Sequence, residues 1–323
     1  MKKLFLTYLF CVLLAKIFYG QSVSSLIHPF NETYKNFSDH FEETDIYSKV
    51  GQFSNDIERY KDVIKKHKIK SIKMCYYDVN LSSSPIALIY YFFDQNGLLT
   101  SVIDSSHEER IECVDYSYKN NKLVFINSNI KNQPKFAYSW LFSYNTKGQI
   151  DELYICHGSD SIFSGKYFYN SSGKITLCKT ISGDRSINKN DLKKNINYEY
   201  SYKDTIIEFK INGKLEKKYF FDRQKRIIQT LDSTQHYIES FFYVDDFVIT
   251  NVKYSKRSDM NMMSMFNFHN GARKSFSKYR DANSEQWFYE YNTKQLISKI
   301  YQFITKGNIC RSMNIYQFEY STW

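Results

Sequence analysis

The residues best able to do chemistry fall in four short stretches. Cys156-His157-Gly158-Ser159-Asp160 gathers a nucleophile, a base and an acid within five residues. Neighbours on a loop or strand do not face one another as a catalytic triad must, and no Gly-x-Ser-x-Gly elbow is present. That stretch reads as a polar hairpin loop. Asp104-Ser105-Ser106-His107-Glu108-Glu109 offers His107 and Glu109 as metal ligands, yet a second His at helical spacing is missing. A solvated connection is the better reading. Met260, Met262, Met263 and Met265, with His269 nearby, form a thioether cluster that suits Cu(I) in an exported protein. Methionines packing a loop or strand edge onto a sheet is the preferred account. The fourth stretch is basic: Lys253, Lys256, Arg257, Arg273, Lys274, Lys278 and Arg280 lie between Val252 and Gln286. An anionic-partner surface is the sharper reading of these residues, a solvated loop the plainer one. With no phosphate-cradling glycine loop and no dinucleotide fingerprint, no catalytic residue, metal ligand or cofactor site is assigned.

Charge and targeting narrow the partners. Lys2 and Lys3 precede a mostly apolar run from Leu4 to Ala15, a signal-peptide pattern too short for a membrane span. Cleavage after Gly20 is expected. No later run reaches membrane length, so no transmembrane span is expected beyond that segment. The net charge of +10 falls to +7 when Lys2, Lys3 and Lys16 are removed. Export argues against nucleic acid and leaves an unknown protein, a glycan or an anionic envelope surface as partner. The destination is the periplasm, the cell surface or the medium. Cys75, Cys113, Cys156, Cys178 and Cys310 remain, an odd count without a CxxC pair, and they read as buried free thiols.

The elements that would position these residues are strands. Aromatics make up 18% of the chain (29 Tyr, 26 Phe and 3 Trp), a composition that fits pleated, half-buried surfaces. A unit recurs: Tyr167-Phe168-Tyr169-Asn170-Ser171-Ser172-Gly173-Lys174-Ile175 has siblings starting at Tyr91, Phe142 and Tyr219, the last with Lys225 in place of glycine. Further copies start at Tyr116, Tyr200, Phe241, Tyr289 and Tyr316. A spacing near 25 residues is two strands and two turns. Asn96-Gly97 and Asn212-Gly213 suit two-residue hairpin turns. Before this region the pattern is helical: Tyr34, Phe37 and Phe41, then Ile57, Tyr60 and Ile64 after a capping Asn55. The switch to period two falls near Lys68.

The unit Tyr-x-Tyr/Phe-Asp/Asn-x-x-Gly-x-Ile/Leu resembles the YD repeat of the Rhs/YD-repeat family, in a divergent secreted form, from about Lys70 to Tyr320. The copies starting at Tyr91, Phe142 and Tyr167 carry both the Asp/Asn and the Gly. The resemblance implies a β-sheet scaffold for binding or enclosure, without room for the C-terminal toxin of the family's giants.

The expected fold is all-β: repeated antiparallel hairpins in a long twisted or curled meander, with a short N-terminal helical segment. The expected divisions are a signal peptide over 1–20, a helical segment over 21–68, and a β-repeat domain over 69–323 interrupted at about 252–286. The expected function is an exported, non-enzymatic scaffold or binding protein of the cell envelope. An outer-membrane β-barrel and an enzyme with a site assembled from distant loops are the alternatives. Tyr316, Phe318 and Tyr320 sit on the wrong parity for a lipid-facing strand ending on Trp323.

Overall fold

Alternating apolar and polar side chains from Ile69 onward pair as one antiparallel sheet of twenty strands. The computed structural model describes residues 61–323 except 81–83, 106–110, 132, 134–136, 158–159, 183–193, 225, 233–236, 245–246, 255–260, 270–271, 281–282 and 307–308. The expected signal segment and the helix over Asn31–Tyr47 lie outside the described residues. The first strands are β1 (Ile69–Asp78), β2 (Ala87–Phe93), β3 (Leu99–Asp104), β4 (Glu112–Lys119), β5 (Lys122–Ile130) and β6 (Tyr138–Tyr144). Then follow β7 (Ile150–His157), β8 (Asp160–Tyr169), β9 (Ile175–Ser182), β10 (Lys194–Lys203), β11 (Ile206–Ile211), β12 (Lys214–Phe221) and β13 (Ile227–Asp232). The last are β14 (Tyr237–Val244), β15 (Phe247–Tyr254), β16 (Asn261–His269), β17 (Ala272–Arg280), β18 (Asn283–Tyr291), β19 (Ile297–Lys306) and β20 (Ile309–Thr322).

Each strand pairs with the next, as the meander expectation requires. In addition β1 pairs with β20, from Ile69↔Thr322 to Asp78↔Asn314. Every strand thus has a hydrogen-bonded neighbour on both sides, and the order returns to its start. Residues 61–66 are helical, Lys68 ends the turn at φ 51°, and β1 begins at once.

Facing residues of paired strands share a face, so the register divides the chain into an inner and an outer set. The inner face holds two apolar clusters. One spans the β1–β20 seam and includes Ile72, Met74, Trp287, Ile300, Tyr316 and Phe318, with Ile64 of the helix packed in. The other fills the arc from β5 to β14 with Leu123, Phe142, Leu153, Tyr167, Tyr200, Phe209, Ile227 and Phe241. The first aromatic of most repeats is therefore a core residue, while Tyr91 and Tyr116 are half-buried against the clusters. Tyr316, Phe318 and Tyr320 point inward, the parity read from the sequence.

The Asp or Asn of the repeat builds the turn. Asp94, Asn145, Asn170, Asp222 and Asn292 each donate their N–H to the carbonyl four residues on. The Oδ1 of each accepts the N–H of that same residue, at 2.9–3.1 Å. Three residues after the Asp or Asn the backbone is left-handed, with φ 82° at Gly97, 79° at Gly148 and 83° at Gly173. Gln295 takes that place at φ 60° in the last such turn. A register shift follows each turn, the mark of a four-residue hairpin with a bulge. Asn96-Gly97 is accordingly not the two-residue turn expected, because Asp94 captures the backbone first. Asn212-Gly213 is one, with φ 50° and 78°, and so is Asn120-Asn121 at 54° and 61°.

The second tyrosine of the repeat has a separate task. Tyr118, Tyr144, Tyr169, Tyr202, Tyr243 and Tyr320 donate their hydroxyls to the carbonyls of Leu99, Leu123, Ile150, Ile175, Ile227 and Ile297, at 2.6–2.9 Å. Each acceptor is the first or second residue of the preceding strand, so the bond ties one hairpin to the previous one at the turn end. Cations cover three of these rings: Lys122 over Tyr144, Lys174 over Tyr202 and Arg226 over Tyr243, at 4.5–5.1 Å.

The expected interruption at about 252–286 is a departure from the motif and not from the meander. Its described part forms the end of β15, all of β16 and β17 and the start of β18, paired in sequence. Met, Asn, Ser and Lys alternate there with Phe, so the period of two persists without Tyr-x-Tyr. The thiols also differ from expectation. Cys75 and Cys178 are buried, but Cys113 and Cys156 are half-buried and Cys310 is exposed; all five are free.

Candidate functional site: the polar end of the inner face

The inner face is graded. At the turn end it carries the aromatics and the isoleucines and leucines that open the odd strands. Farther along the same strands it carries Cys178, then Thr180, on β9, Ile126 then Ser128 on β5, and Ile300 then Gln302 on β19. All six are buried. Beyond them, at the ends away from the turns, come Asp78, Asp104, His157 and Asp232.

At the seam this polar layer becomes a connected chain. The Glu285 carboxylate accepts a hydrogen bond from Gln302 Nε2. Gln302 Oε1 accepts Asn314 Nδ2 at 2.8 Å and the Tyr316 hydroxyl at 3.2 Å. Ser312 donates to Asn314 Oδ1 at 3.3 Å. Tyr316 stacks on Trp287 at 5.8 Å and on Tyr76 at 4.9 Å. Burial, followed by charge at Tyr76 and Glu285, pushes the Tyr316 hydroxyl well above its ordinary range, so it stays a donor. Gln302 and Asn314 form a buried floor, while Glu285 and Ser312 are half-buried towards the rim. Trp287 Nε1 lies in this layer with no acceptor among the described residues. Lys278 is set directly opposite Glu285.

The other arc is less connected. Ser128 donates to Glu112 at 3.3 Å, Glu112 faces Asp104 across β3–β4, and Thr180 donates to the Ile196 carbonyl at 3.1 Å. The His157 ring lies 4.6 Å from that of Tyr138. The chemistry on offer is hydrogen bonding. Among the described residues no group of three His, Cys, Asp or Glu converges on a metal position. No described helix is long and apolar enough to cross a membrane.

The residues singled out in the sequence are dispersed. Lys253 pairs with Ile238 and Asn261, whereas Lys278 belongs to the register of inward-facing Trp287. Arg280 is opposite Asn283, Arg273 opposite Phe268, and Lys274 is exposed near the start of β17. Lys256 and Arg257 lie outside the described residues. Cys156 and His157 point to opposite faces as strand neighbours, which rules the triad arrangement out. His107 and Glu109 also lie outside the described residues. Sequence reasoning missed Glu285, Gln302 and Asn314. The available signal was a polar residue on the apolar parity of three successive strands.

No family model matches the chain, and no curated protein matches it. Among solved structures, a porin-like protein from Bacteroides uniformis aligns over 79% of this chain and 97% of its own, at 9% identity and a TM-score of 0.36. A TcdB2-TccC3-TEV structure aligns over 69% of this chain and 15% of its own, at 10% identity and a TM-score of 0.35. Likeness at these scores carries no inference about site or activity.

Proposed function

We propose that the protein is an exported, non-enzymatic binding scaffold of the cell envelope whose ligand meets the polar end of the inner face at the seam. The observation that carries this reading is the chain Glu285–Gln302–Asn314–Tyr316, buried at its floor and half-open at Glu285. Amide, carboxylate and hydroxyl groups held in fixed orientation on rigid strands suit recognition of a hydroxylated ligand, such as an envelope glycan. Lys2, Lys3 and the apolar run after them support export. The five Asp/Asn turns support kinship with YD-repeat scaffolds. Sedimentation with isolated envelope glycan tests the reading. Wild-type protein should co-sediment, and Lys278→Ala together with Ser312→Ala, both at the rim, should weaken that at least severalfold while circular dichroism stays unchanged. Equal sedimentation of the rim variant would remove the site from consideration.

An outer-membrane barrel is the second reading, favoured by the pairing of β20 back to β1. Such a barrel turns its apolar residues to lipid. Here the fully buried apolar residues face inward, and the outer face mixes exposed apolar side chains such as Leu141, Phe168, Phe242 and Phe288 with the Lys73–Glu319, Lys166–Glu152 and Lys218–Glu208 ion pairs. Recovery in the aqueous envelope fraction is expected; a strict need for detergent would reverse the ranking.

A further inference from the structure

At the opposite end of the strands, beside the turns, a cleft of about 210 Å³ opens between the helix, the start of β1, the β2–β3 turn and Trp323. Its lining is of two kinds. Ile64 and Ile69, each 1% exposed, form an apolar floor. Lys65 and Lys68 stand at its edge, both exposed. Trp323 makes one wall and is 52% exposed, a large apolar surface left in water. Lys70 Nζ lies 5.3 Å from its ring, and the backbone N–H of Trp323 donates to the Lys68 carbonyl.

Among the described residues that line the cleft, lysines outnumber acids. Asp94 also lines it, but its carboxylate is engaged by the N–H groups of Asn96 and Leu98 in its own turn. Neither Lys65 nor Lys68 forms an ion pair among the described residues. Lys66, Lys70 and Lys294 add to the local positive field. His67 registers that field: burial first, then Lys66 and Lys294, lower its pKa.

We infer that this cleft binds an anionic head carried on an apolar body, a phosphate or carboxylate amphiphile. Lys65 and Lys68 take the charge, Ile64 and Ile69 floor the apolar part, and the Trp323 ring covers it. A bare anion would leave the apolar floor and the indole exposed, and an uncharged apolar molecule would leave both lysines unanswered. The site is independent of the polar end of the inner face.

Tryptophan fluorescence of the full-length protein reads the binding, with Trp323→Phe assigning the signal. The soluble probe is hexyl phosphate, compared with inorganic phosphate. The membrane probe is vesicles of phosphatidylglycerol, compared with phosphatidylcholine. Hexyl phosphate should saturate the signal and bind about tenfold or more tightly than inorganic phosphate. Lys65→Gln with Lys68→Gln should weaken it by about tenfold or more, whereas Lys119→Gln on the outer face should not. Saturable hexyl phosphate binding without vesicle binding assigns a soluble amphiphile. Binding to phosphatidylglycerol vesicles that the double variant abolishes assigns a lipid head. Failure of both probes, or binding indifferent to the two lysines, overturns the inference.

Discussion

The seam cluster and the arc cluster are built from the same residue types by different means. In the arc, core aromatics of successive repeats share one cluster, and tyrosine hydroxyls tie neighbouring hairpins together. At the seam the partners come from opposite ends of the described chain, and the aromatic stack is joined by a buried polar chain and a helix. Six of the nine most deeply buried large side chains belong to the seam (Ile64, Ile69, Ile72, Trp287, Ile297 and Ile300) against three in the arc. Repetition is enough to continue a sheet; joining its ends takes individual residues.

The largest test of that contrast is Trp287→Ala, expected to cost about 3–5 kcal/mol in chemical denaturation. Leu153→Ala, an equally buried arc position, should cost less, about 2–3 kcal/mol. A larger loss at Leu153 would reverse the ranking. The turn glycines come next. Gly97 and Gly213 are both left-handed, but a Cβ on Gly97 would press on the Lys61 carbonyl oxygen and lie 3.1 Å from Lys65 N. One on Gly213 meets nothing within 4 Å. Gly213→Ala should cost about 1–2 kcal/mol from backbone strain alone. Gly97→Ala should add about 1–3 kcal/mol of overlap and loosen the helix. Equal melting shifts would mean that the helix does not press on that turn.

A smaller effect is expected from the ties between hairpins. Tyr202→Phe removes one hydroxyl bond to the Ile175 carbonyl and should cost about 0.5–1.5 kcal/mol. Tyr320→Phe, at the seam, should cost no more, because packing rather than the tie holds that region; a markedly larger loss there would blur the distinction. The smallest effect is acidic. Hydrogen bonds from Lys166 and Tyr154 lower the Glu152 pKa below its ordinary value. Its contribution is present above the ordinary glutamate pKa and fades as pH falls through the lowered one. Glu152→Gln should therefore lose that slight stabilisation near neutrality and flatten the acid limb, the two proteins converging at low pH.

Much of the arc was legible in the sequence because its repeat carries its own instructions. Tyr-x-Tyr gives the face, the Asp or Asn gives the turn, and the glycine gives the left-handed residue. What escaped was information spread between strands. In β16 and β17 the alternation survives with Met and Ser where Tyr would stand, so a step of 48 residues between aromatics looked like an insertion. The role of the second tyrosine was hidden because its acceptor is a carbonyl, which has no sequence signature. Gln302 and Asn314 read singly as ordinary strand polar residues. Only the register of β18, β19 and β20 places them on the inner side beside Glu285.

The pairing of β1 with β20 has a consequence in time. Its partners stand about 240 residues apart in the chain, whereas each hairpin closes within a few residues of its turn. Contacts of such separation form late, after the local pairs have shortened the effective loop. Through synthesis β1 therefore holds an open edge facing its future partner, and anything able to add a strand there competes with β20. The C-terminal strand is the natural stopper of that edge. A cell that makes this chain has reason to protect that edge until β20 has arrived.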